Sequence, residues 1–284
     1  MTPNLLPDLQ AVDLRIVPTE ALLSHERHDA QRAAPLVDYL RRDGVLKNPP
    51  VVTPSGLDDN TYVMLDGANR IFALIKLGIR HTLVQVVPYT EPHVQLLTWY
   101  HVICDITPAE MEACLRSVPG IEIGETNLSH ARGLLAARAI LSYCVVADGR
   151  VLTLAGGGLD LHERNRLLNA VCDSYLGVGT LYRQKTDVLS ELLDIYPSMA
   201  GAMIYPRYEP AEILDLAQHG MEVPPGLTRH IVRGRALRLN YPLERLKADT
   251  SLEQKNAELK EWVQQKFSER QVRYYAESTY LFDE

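Results

Sequence analysis

The sequence has few cysteines, and their arrangement excludes two kinds of site. It contains four in 284 residues, and no two form a Cys-x-x-Cys pair. Wide separation of this kind does not indicate a zinc ribbon or a disulfide framework. We therefore assign no chemistry to the four thiols, which are Cys104, Cys114, Cys144 and Cys172.

Long hydrophobic runs and basic leader segments are also missing. No apolar stretch approaches the roughly 20 residues that span a bilayer. The first ten residues lack the basic and apolar regions of a signal peptide. These absences lead us to expect a cytoplasmic protein with no membrane partner.

An excess of positive charge is absent as well. The net charge is -7, which argues against a surface that coats nucleic acid and favours a small substrate. One local basic patch, Arg229 to Arg238, leaves room for a nucleic-acid contact. What the chain does have is a hydrophobic content of 46%, enough for the core of one large domain or two modest ones.

The pattern of the first 88 residues predicts a compact α/β unit, because short apolar runs alternate with segments of helical spacing. Asp43-Gly44 is expected to close the first helix, and Asn48-Pro49-Pro50 to start the next strand. The predicted elements are strand Leu14 to Val17, a helix from about Ala33 to Arg42, strands Pro50 to Thr53 and Tyr62 to Leu65, a helix after Arg70, and strand Thr82 to Val87.

The middle of the chain is predicted to be mostly helical, and the end to return to α/β. Three consecutive glycines, Gly156 to Gly158, are interpreted as a turn, because no Lys-Ser/Thr follows them as a phosphate-binding Walker loop requires. The predicted helices are Ala109 to Ser117, His130 to Leu141, His162 to Leu176 and Pro210 to His219, and the predicted strands are Arg150 to Leu154, Ala202 to Tyr205 and Ala236 to Leu239.

The chain ends in a predicted charged helix, Ser251 to Gln271, which we expect to pack on the body of the protein or on a second subunit in a homodimer. The fold class is therefore α/β (α+β). We predict a nucleotide-binding domain at 1–102 and a second domain at 103–284 that contributes to the substrate pocket.

The stretch Asp66-Gly67-Ala68-Asn69-Arg70 places polar groups at a predicted junction between a strand and a helix. The first turn of a helix presents unpaired N–H groups and the positive end of its dipole, so it is suited to phosphate, with Arg70 as a forked donor. Asp66 is a candidate ligand for Mg²⁺. The alternative is structural: Asp66 caps the helix and Arg70 pairs with a surface carboxylate.

Glu26 lies in a predicted loop, directly after His25, where a carboxylate can face a cleft. A hydroxyl that attacks a phosphoryl group needs an acceptor for its proton, and Glu26 is our candidate for that base. An isolated loop glutamate is more often part of a surface ion pair.

The order of these segments, His25-Glu26, Asp43-Gly44, Asn48-Pro49-Pro50 and then Asp66 to Arg70, resembles the ParB/sulfiredoxin fold. It most resembles the free L-serine kinases of that fold, a family with an archaeal ADP-dependent member and a member in staphyloferrin B biosynthesis. The resemblance implies that Glu26 is the catalytic base and that Asp66 assists Mg²⁺ and phosphate chemistry. Ala68 and Asn69 replace two histidines of the family's usual D-G-H-H-R motif, and Asn69 retains the ability to bind phosphate by hydrogen bonds.

A second segment, Thr228-Arg229-His230, resembles the family's T-R-H segment, which is implicated in holding serine. Independently, a hydroxyl and cationic donors suit the carboxylate of an amino acid. Trp99 matches an aromatic position of these kinases and either walls the same pocket or belongs to the core.

The histidines show no ligand pair along the chain. His162-Glu163 begins like a zinc helix, but Arg166 occupies the position of the second histidine of H-E-x-x-H. We therefore predict no transition metal.

Our leading hypothesis is a kinase that transfers a phosphoryl group from ATP or ADP to free L-serine, with Mg²⁺ as cofactor and O-phospho-L-serine as product. The sequence leaves the choice of nucleotide open. The alternative hypothesis is a ParB-like regulator that binds a nucleotide and docks on DNA through Arg229 to Arg238. A sulfiredoxin-like or nuclease activity ranks third, because no cysteine or carboxylate cluster accompanies Asp66.

Overall fold

The computed structural model describes residues 12–27, 30–156 and 160–274. It is a mixture of helices and sheets, so the predicted α/β (α+β) class is confirmed. The chain divides into two compact units that are not continuous in sequence. Among the described residues, unit 1 contains 12–24, 30–95 and 232–274, and unit 2 contains 25–27, 96–156 and 160–231. The predicted domains, 1–102 and 103–284, stay a prediction.

Unit 1 is built on a five-stranded sheet with the order β1-β6-β4-β5-β2. Strand β1 is antiparallel to β6, and β4 is parallel to β6 and antiparallel to β5. A small ladder also pairs β15 with β3. The elements are β1 Asp13–Pro18, β2 Leu22–Leu23, α1 Ala30–Asp43, β3 Val45–Leu46, β4 Val51–Pro54, β5 Tyr62–Asp66, α2 Ala68–Lys76, β6 His81–Val86, β15 Tyr241–Pro242, α8 Leu243–Lys247 and α9 Leu252–Ser268.

The C-terminal helix α9 packs on β1 of the same chain, which was one of the two predicted alternatives. Its Asn256 side chain accepts a hydrogen bond from the backbone N–H of Ile16 at 2.9 Å and donates one to the carbonyl of Ile16 at 2.8 Å. Leu259 is buried in the same apolar core as Ile16 and Leu83. The helix therefore completes unit 1 from the far end of the chain.

Unit 2 is built on a six-stranded sheet with the order β12-β8-β13-β10-β11-β9, in which every neighbouring pair is antiparallel. The chain enters this unit within β7, Val94–Thr98, and leaves it at the end of β14, Thr228–Val232. The other elements are β8 Tyr100–Cys104, α3 Pro108–Arg116, β9 Glu122–Thr126, α4 Leu128–Ala136, β10 Ser142–Val146, β11 Val151–Ala155, α5 Leu161–Tyr175, β12 Thr180–Gln184, α6 Leu189–Ile195, β13 Met199–Ile204 and α7 Pro210–Gln218.

Two predicted elements differ from the structure, and backbone geometry explains both. The helix predicted to reach Leu141 ends at Ala136, because Arg138 has a φ of 55° and its left-handed conformation cannot continue a helix. The strand predicted at 236–239 is absent, because Arg238 and Asn240 both have a φ of 52°, which is incompatible with extended backbone. The middle region has its predicted helices and its predicted strand, which is β11, and it also contributes the strands β9, β10 and β12, which were not predicted.

Two further predictions concern residues that the structure does not describe, or describes only in part. Gly157 and Gly158 of the predicted glycine turn, and the N-terminal segment that lacks signal-peptide features, lie outside the described residues. Within the described residues, no helix combines the length and the apolar character needed to cross a membrane.

Candidate active site

The turn between β5 and α2 strongly favours glycine. Gly67 has a φ of 102° and caps the first turn of α2, where its carbonyl accepts the N–H of Ile71. A Cβ at this position would lie 2.9 Å from the Cβ of Pro50 and 3.1 Å from Nη2 of Arg70. The close approach of the backbone and the left-handed φ both explain the residue type. Asp66 and Arg70 are thereby fixed on either side of the turn.

Asp66 lies between two guanidinium groups. Nη2 of Arg70 donates to Oδ2 of Asp66 at 2.5 Å, and Arg235 donates to the same oxygen. Arg70 also donates to the carbonyl of Asn48 at 2.6 Å. Burial alone would raise the pKa of Asp66, but the charges of Arg70 and Arg235 outweigh it and hold that pKa below its ordinary value. The cluster therefore carries one negative and two positive charges.

Two buried polar atoms near this turn have no hydrogen-bond partner among the described residues: Oδ1 of Asn69 and Nε of Arg235. Because buried polar atoms normally form hydrogen bonds, an unpaired atom of this kind is a candidate contact for a bound group. The surplus positive charge and the N–H donor of Arg235 suit an anion such as a phosphate. Ala68, the other predicted phosphate-binding residue, offers only its backbone, at the first position of α2.

The same cluster is compatible with Mg²⁺ that arrives with a nucleotide. Both guanidiniums contact Oδ2 of Asp66, and Oδ1 receives no hydrogen bond from the described residues. Mg²⁺ is commonly held by one or two carboxylates together with substrate phosphates and water. Asp66 is 38% exposed and can supply one such oxygen.

In unit 2, the loop that carries Glu26 is held against the segment around Thr228. Oε1 of Glu26 accepts the backbone N–H of Gly226 at 2.7 Å, and Oε2 accepts the N–H of Thr228 at 2.9 Å. The hydroxyl of Thr228 donates to the same Oε2. Three donors from one short segment therefore fix the orientation of this carboxylate.

His25 extends this network. Its Nε2 lies 2.8 Å from Oγ1 of Thr228, and its ring meets the ring of His230 edge to face with centroids 5.2 Å apart. Because the Thr228 hydroxyl donates to Glu26, its oxygen is left as the acceptor, so the His25 Nε2 carries the proton. Sequence reasoning did not assign His25 a role, although its position next to Glu26 was a signal.

Trp99 and Arg229 form the third part of the unit 2 group. The guanidinium carbon of Arg229 lies 4.7 Å from the centroid of the Trp99 ring, within the range of a cation–π interaction. The backbone N–H of Trp99 donates to the carbonyl of Leu227 at 2.8 Å. Trp99 is thus partly exposed beside the T-R-H segment rather than buried in the core.

The ten predicted site residues therefore form two groups. Unit 1 holds Asp66, Gly67, Ala68, Asn69 and Arg70, and unit 2 holds Glu26, Trp99, Thr228, Arg229 and His230. Sequence reasoning missed Arg235 and Gly226, which contact the first and second group respectively. The basic character of the segment around Arg235 was visible, but its partner Asp66 is 169 residues away.

The known proteins that this chain resembles in sequence are named as kinases of one kind. No protein-family model matches it. It is 25% identical over 286 residues to the ATP-dependent L-serine kinase SbnI of Staphylococcus aureus, an alignment that covers 95% of this chain and 97% of that protein. It is also 25% identical over 255 residues to an ATP-dependent L-serine kinase of Staphylothermus marinus, with 86% and 96% covered.

Solved structures show the same fold. A C-terminally truncated SbnI from Staphylococcus aureus matches with a TM-score of 0.69 and 23% identity, covering 89% of this chain and 97% of that one. A free serine kinase in complex with AMP matches with a TM-score of 0.69 and 19% identity, covering 83% and 94%. The fold is thus that of the free serine kinases. The predicted resemblance to the free L-serine kinases is confirmed.

Proposed function

We propose that this chain is a free L-serine kinase, a phosphotransferase that moves a phosphoryl group from ATP or ADP to the hydroxyl of L-serine and forms O-phospho-L-serine. The observation that carries the proposal is the match to an ATP-dependent L-serine kinase over 95% of the chain. The names of the relatives favour ATP as the donor.

In the proposed reaction, Glu26 accepts the proton of the serine hydroxyl. A bond forms from that oxygen to the terminal phosphorus of the nucleotide, and the bond from this phosphorus to the bridging oxygen breaks. The shortened nucleotide leaves with the electron pair on its new terminal phosphate. The N–H groups of Gly226 and Thr228 and the hydroxyl of Thr228 hold the carboxylate of Glu26 in one orientation, as a proton acceptor requires.

The remaining site residues are assigned to binding. Arg229, oriented by the face of Trp99, suits the carboxylate of serine, with His230 as a further polar contact. The turn at Gly67, together with Asn69, Arg70 and Arg235, suits the phosphates of the nucleotide. Mg²⁺, for which Asp66 would supply a ligand, neutralises charge on the phosphates when bound. A cytoplasmic location and a homodimer remain part of the proposal.

The alternative, a ParB-like DNA-associated regulator, is not favoured. It requires the segment Arg229 to Arg238 to present its charge to DNA. In the structure, Arg229 stacks on Trp99 and Arg235 pairs with Asp66. The curated relatives are also named as kinases.

The test is direct. Purified protein is incubated with Mg²⁺, L-serine and either ATP or ADP, and phosphorus NMR follows the appearance of a phosphomonoester. Glu26→Gln is expected to lower turnover by a factor of about 100 or more, because it removes the proton acceptor and keeps the size. The matched control is Glu122→Gln, at an exposed position of β9. Absence of product with both nucleotides would reject the proposed function, and normal turnover in Glu26→Gln would reject only the assigned base.

A further inference from the structure

We propose that His162, Asp215 and His219 form a binding site for a divalent transition-metal ion such as Zn²⁺. One side-chain ligand atom from each residue lies within 4.8 Å of the others. All three belong to unit 2, and none of them is among the proposed substrate contacts. This proposal does not depend on the proposed kinase activity.

Two helices bring the three residues together. His162 lies in the first turn of α5, Asp215 lies in α7, and His219 caps the end of α7. Asp215 and His219 are four residues apart, so they share one face of α7. The sequence did not reveal the site, because the second histidine comes from a different helix and not from the position of Arg166 in an H-E-x-x-H motif.

The distances between the ligand atoms lie on either side of the value expected around a bound metal ion. Nε2 of His162 is 2.7 Å from Oδ2 of Asp215, and Nδ1 of His219 is 3.5 Å from Oδ1 of the same carboxylate. Ligand atoms around tetrahedral Zn²⁺ are about 3.3 Å apart, given bond lengths of about 2.0–2.1 Å. A metal ion would replace two hydrogen bonds, the one between His162 and the carboxylate of Asp215 and the 2.8 Å bond between Nδ1 of His219 and the backbone carbonyl of Asp215. Side-chain rotations would complete the set.

The donor types select the class of ion. Two imidazoles and one carboxylate suit Zn²⁺, Co²⁺ and related ions, whereas Ca²⁺ and Mg²⁺ prefer several oxygen ligands. The side chains of His162, Asp215 and His219 are 38%, 43% and 55% exposed, so an ion can enter from solvent and water can fill the remaining position. Bound metal would tie the start of α5 to the end of α7.

Titration of the full-length protein tests the site after chelator treatment and dialysis. Calorimetry with Zn²⁺ measures affinity and stoichiometry, and visible absorption with Co²⁺ reports a tetrahedral nitrogen and oxygen environment. We expect one ion per chain, a rise in Tm with added Zn²⁺, and an affinity at least about tenfold lower in His162→Gln, His219→Gln and Asp215→Asn, since each removes one of three ligands.

The matched control is His130→Gln, which removes an exposed histidine of the same unit and should bind metal like the wild type. The Tm of each variant without metal shows that it is folded. Equal affinity in the wild type and the three ligand variants would overturn the proposal. So would the absence of Zn²⁺ binding by the wild type, which would leave the cluster as a set of hydrogen-bonded side chains.

Discussion

At the scale of single residues, Thr228 holds the proposed base in place. Its hydroxyl donates to Glu26 and accepts from His25, which is only 6% exposed. Thr228→Val removes both hydrogen bonds, one of which is made to the carboxylate of Glu26. We expect the free energy of unfolding to fall by about 1.5–3 kcal/mol, the usual contribution of a hydrogen bond to a charged group. Urea unfolding monitored by circular dichroism measures it.

Thr228→Ser is the matched control for this prediction, because it keeps the hydroxyl and removes only a methyl group. It should retain most of the stability that Thr228→Val loses. If the two variants are equally destabilised, the methyl group and not the hydroxyl network accounts for the effect.

Arg235 is expected to bind the nucleotide, an expectation that rests on the proposed function. Its Nε is buried without a partner in the described structure, and its Nη2 contacts Asp66. If these donors bind phosphate, Arg235→Gln removes charge-assisted hydrogen bonds worth about 1.5–3 kcal/mol. The KM for the nucleotide should then rise about tenfold or more, with a smaller change in the KM for serine. Steady-state kinetics with each substrate varied in turn measures both values.

Arg233→Gln is the control, since this arginine is exposed and only two positions away. It should leave both KM values unchanged. An equal rise in the KM for nucleotide in both variants would indicate a general effect of surface charge and would contradict a specific role for Arg235.

Local sequence predicted the glycine turn that separates Asp66 from Arg70, because a strand pattern meets a helix pattern there. It did not predict that the two side chains pair with each other. The contact of Arg235 with Asp66, and that of Gly226 with Glu26, join residues 169 and 200 positions apart. No pattern along the chain encodes such contacts, because they depend on how separate elements pack.

At the scale of elements, the junction between β5 and α2 depends on Gly67. An alanine there would adopt a left-handed φ, at a cost of roughly 1–2 kcal/mol. Its Cβ would also press on Pro50 and Arg70, which adds an overpacking cost of about 1–3 kcal/mol. Gly67→Ala should therefore lower the free energy of unfolding by about 2–5 kcal/mol, and thermal or urea unfolding measures this loss.

Gly78→Ala separates the two contributions. Gly78 has a φ of 71°, and no atom lies within 4 Å of the position that a Cβ would take, so only the backbone cost applies. We expect Gly67→Ala to be clearly the more destabilising of the pair. Equal losses would mean that Pro50 and Arg70 move aside without cost.

At the scale of the whole molecule, the alternation of strands and helices in the first 88 residues could be predicted, because each boundary has a local cause. The sequence did not show which segments of the chain belong to which unit. Residues 25–27 pack with unit 2 and residues 232–274 with unit 1. Helix α9 shows why: its apolar face is visible in the sequence, but its contact with Ile16 spans 240 positions.

The global stability of the protein is expected to depend on pH through a buried histidine. His101, in β8, is completely buried and lies 2.8 Å from the hydroxyl of Tyr175. Burial, with a smaller effect of the charge of Arg183, lowers the pKa of His101 to about 4. A histidine in the unfolded chain has a pKa of about 6.5. Between about pH 6.5 and 4, the unfolded chain therefore binds a proton at this residue and the folded chain does not. Stability must fall as the pH decreases from about 6.5 towards 4, by up to about 3 kcal/mol from this residue.

Urea unfolding at a series of pH values between 7 and 5 measures this dependence. In that range Asp66, whose pKa is lowered, stays ionised and does not contribute. His101→Gln should reduce the slope of the free energy of unfolding against pH, because the variant has no imidazole to protonate on unfolding. His93→Gln, at an exposed position, should keep the slope of the wild type. An unchanged slope in His101→Gln would show that the buried imidazole is protonated in the folded protein as readily as in the unfolded chain.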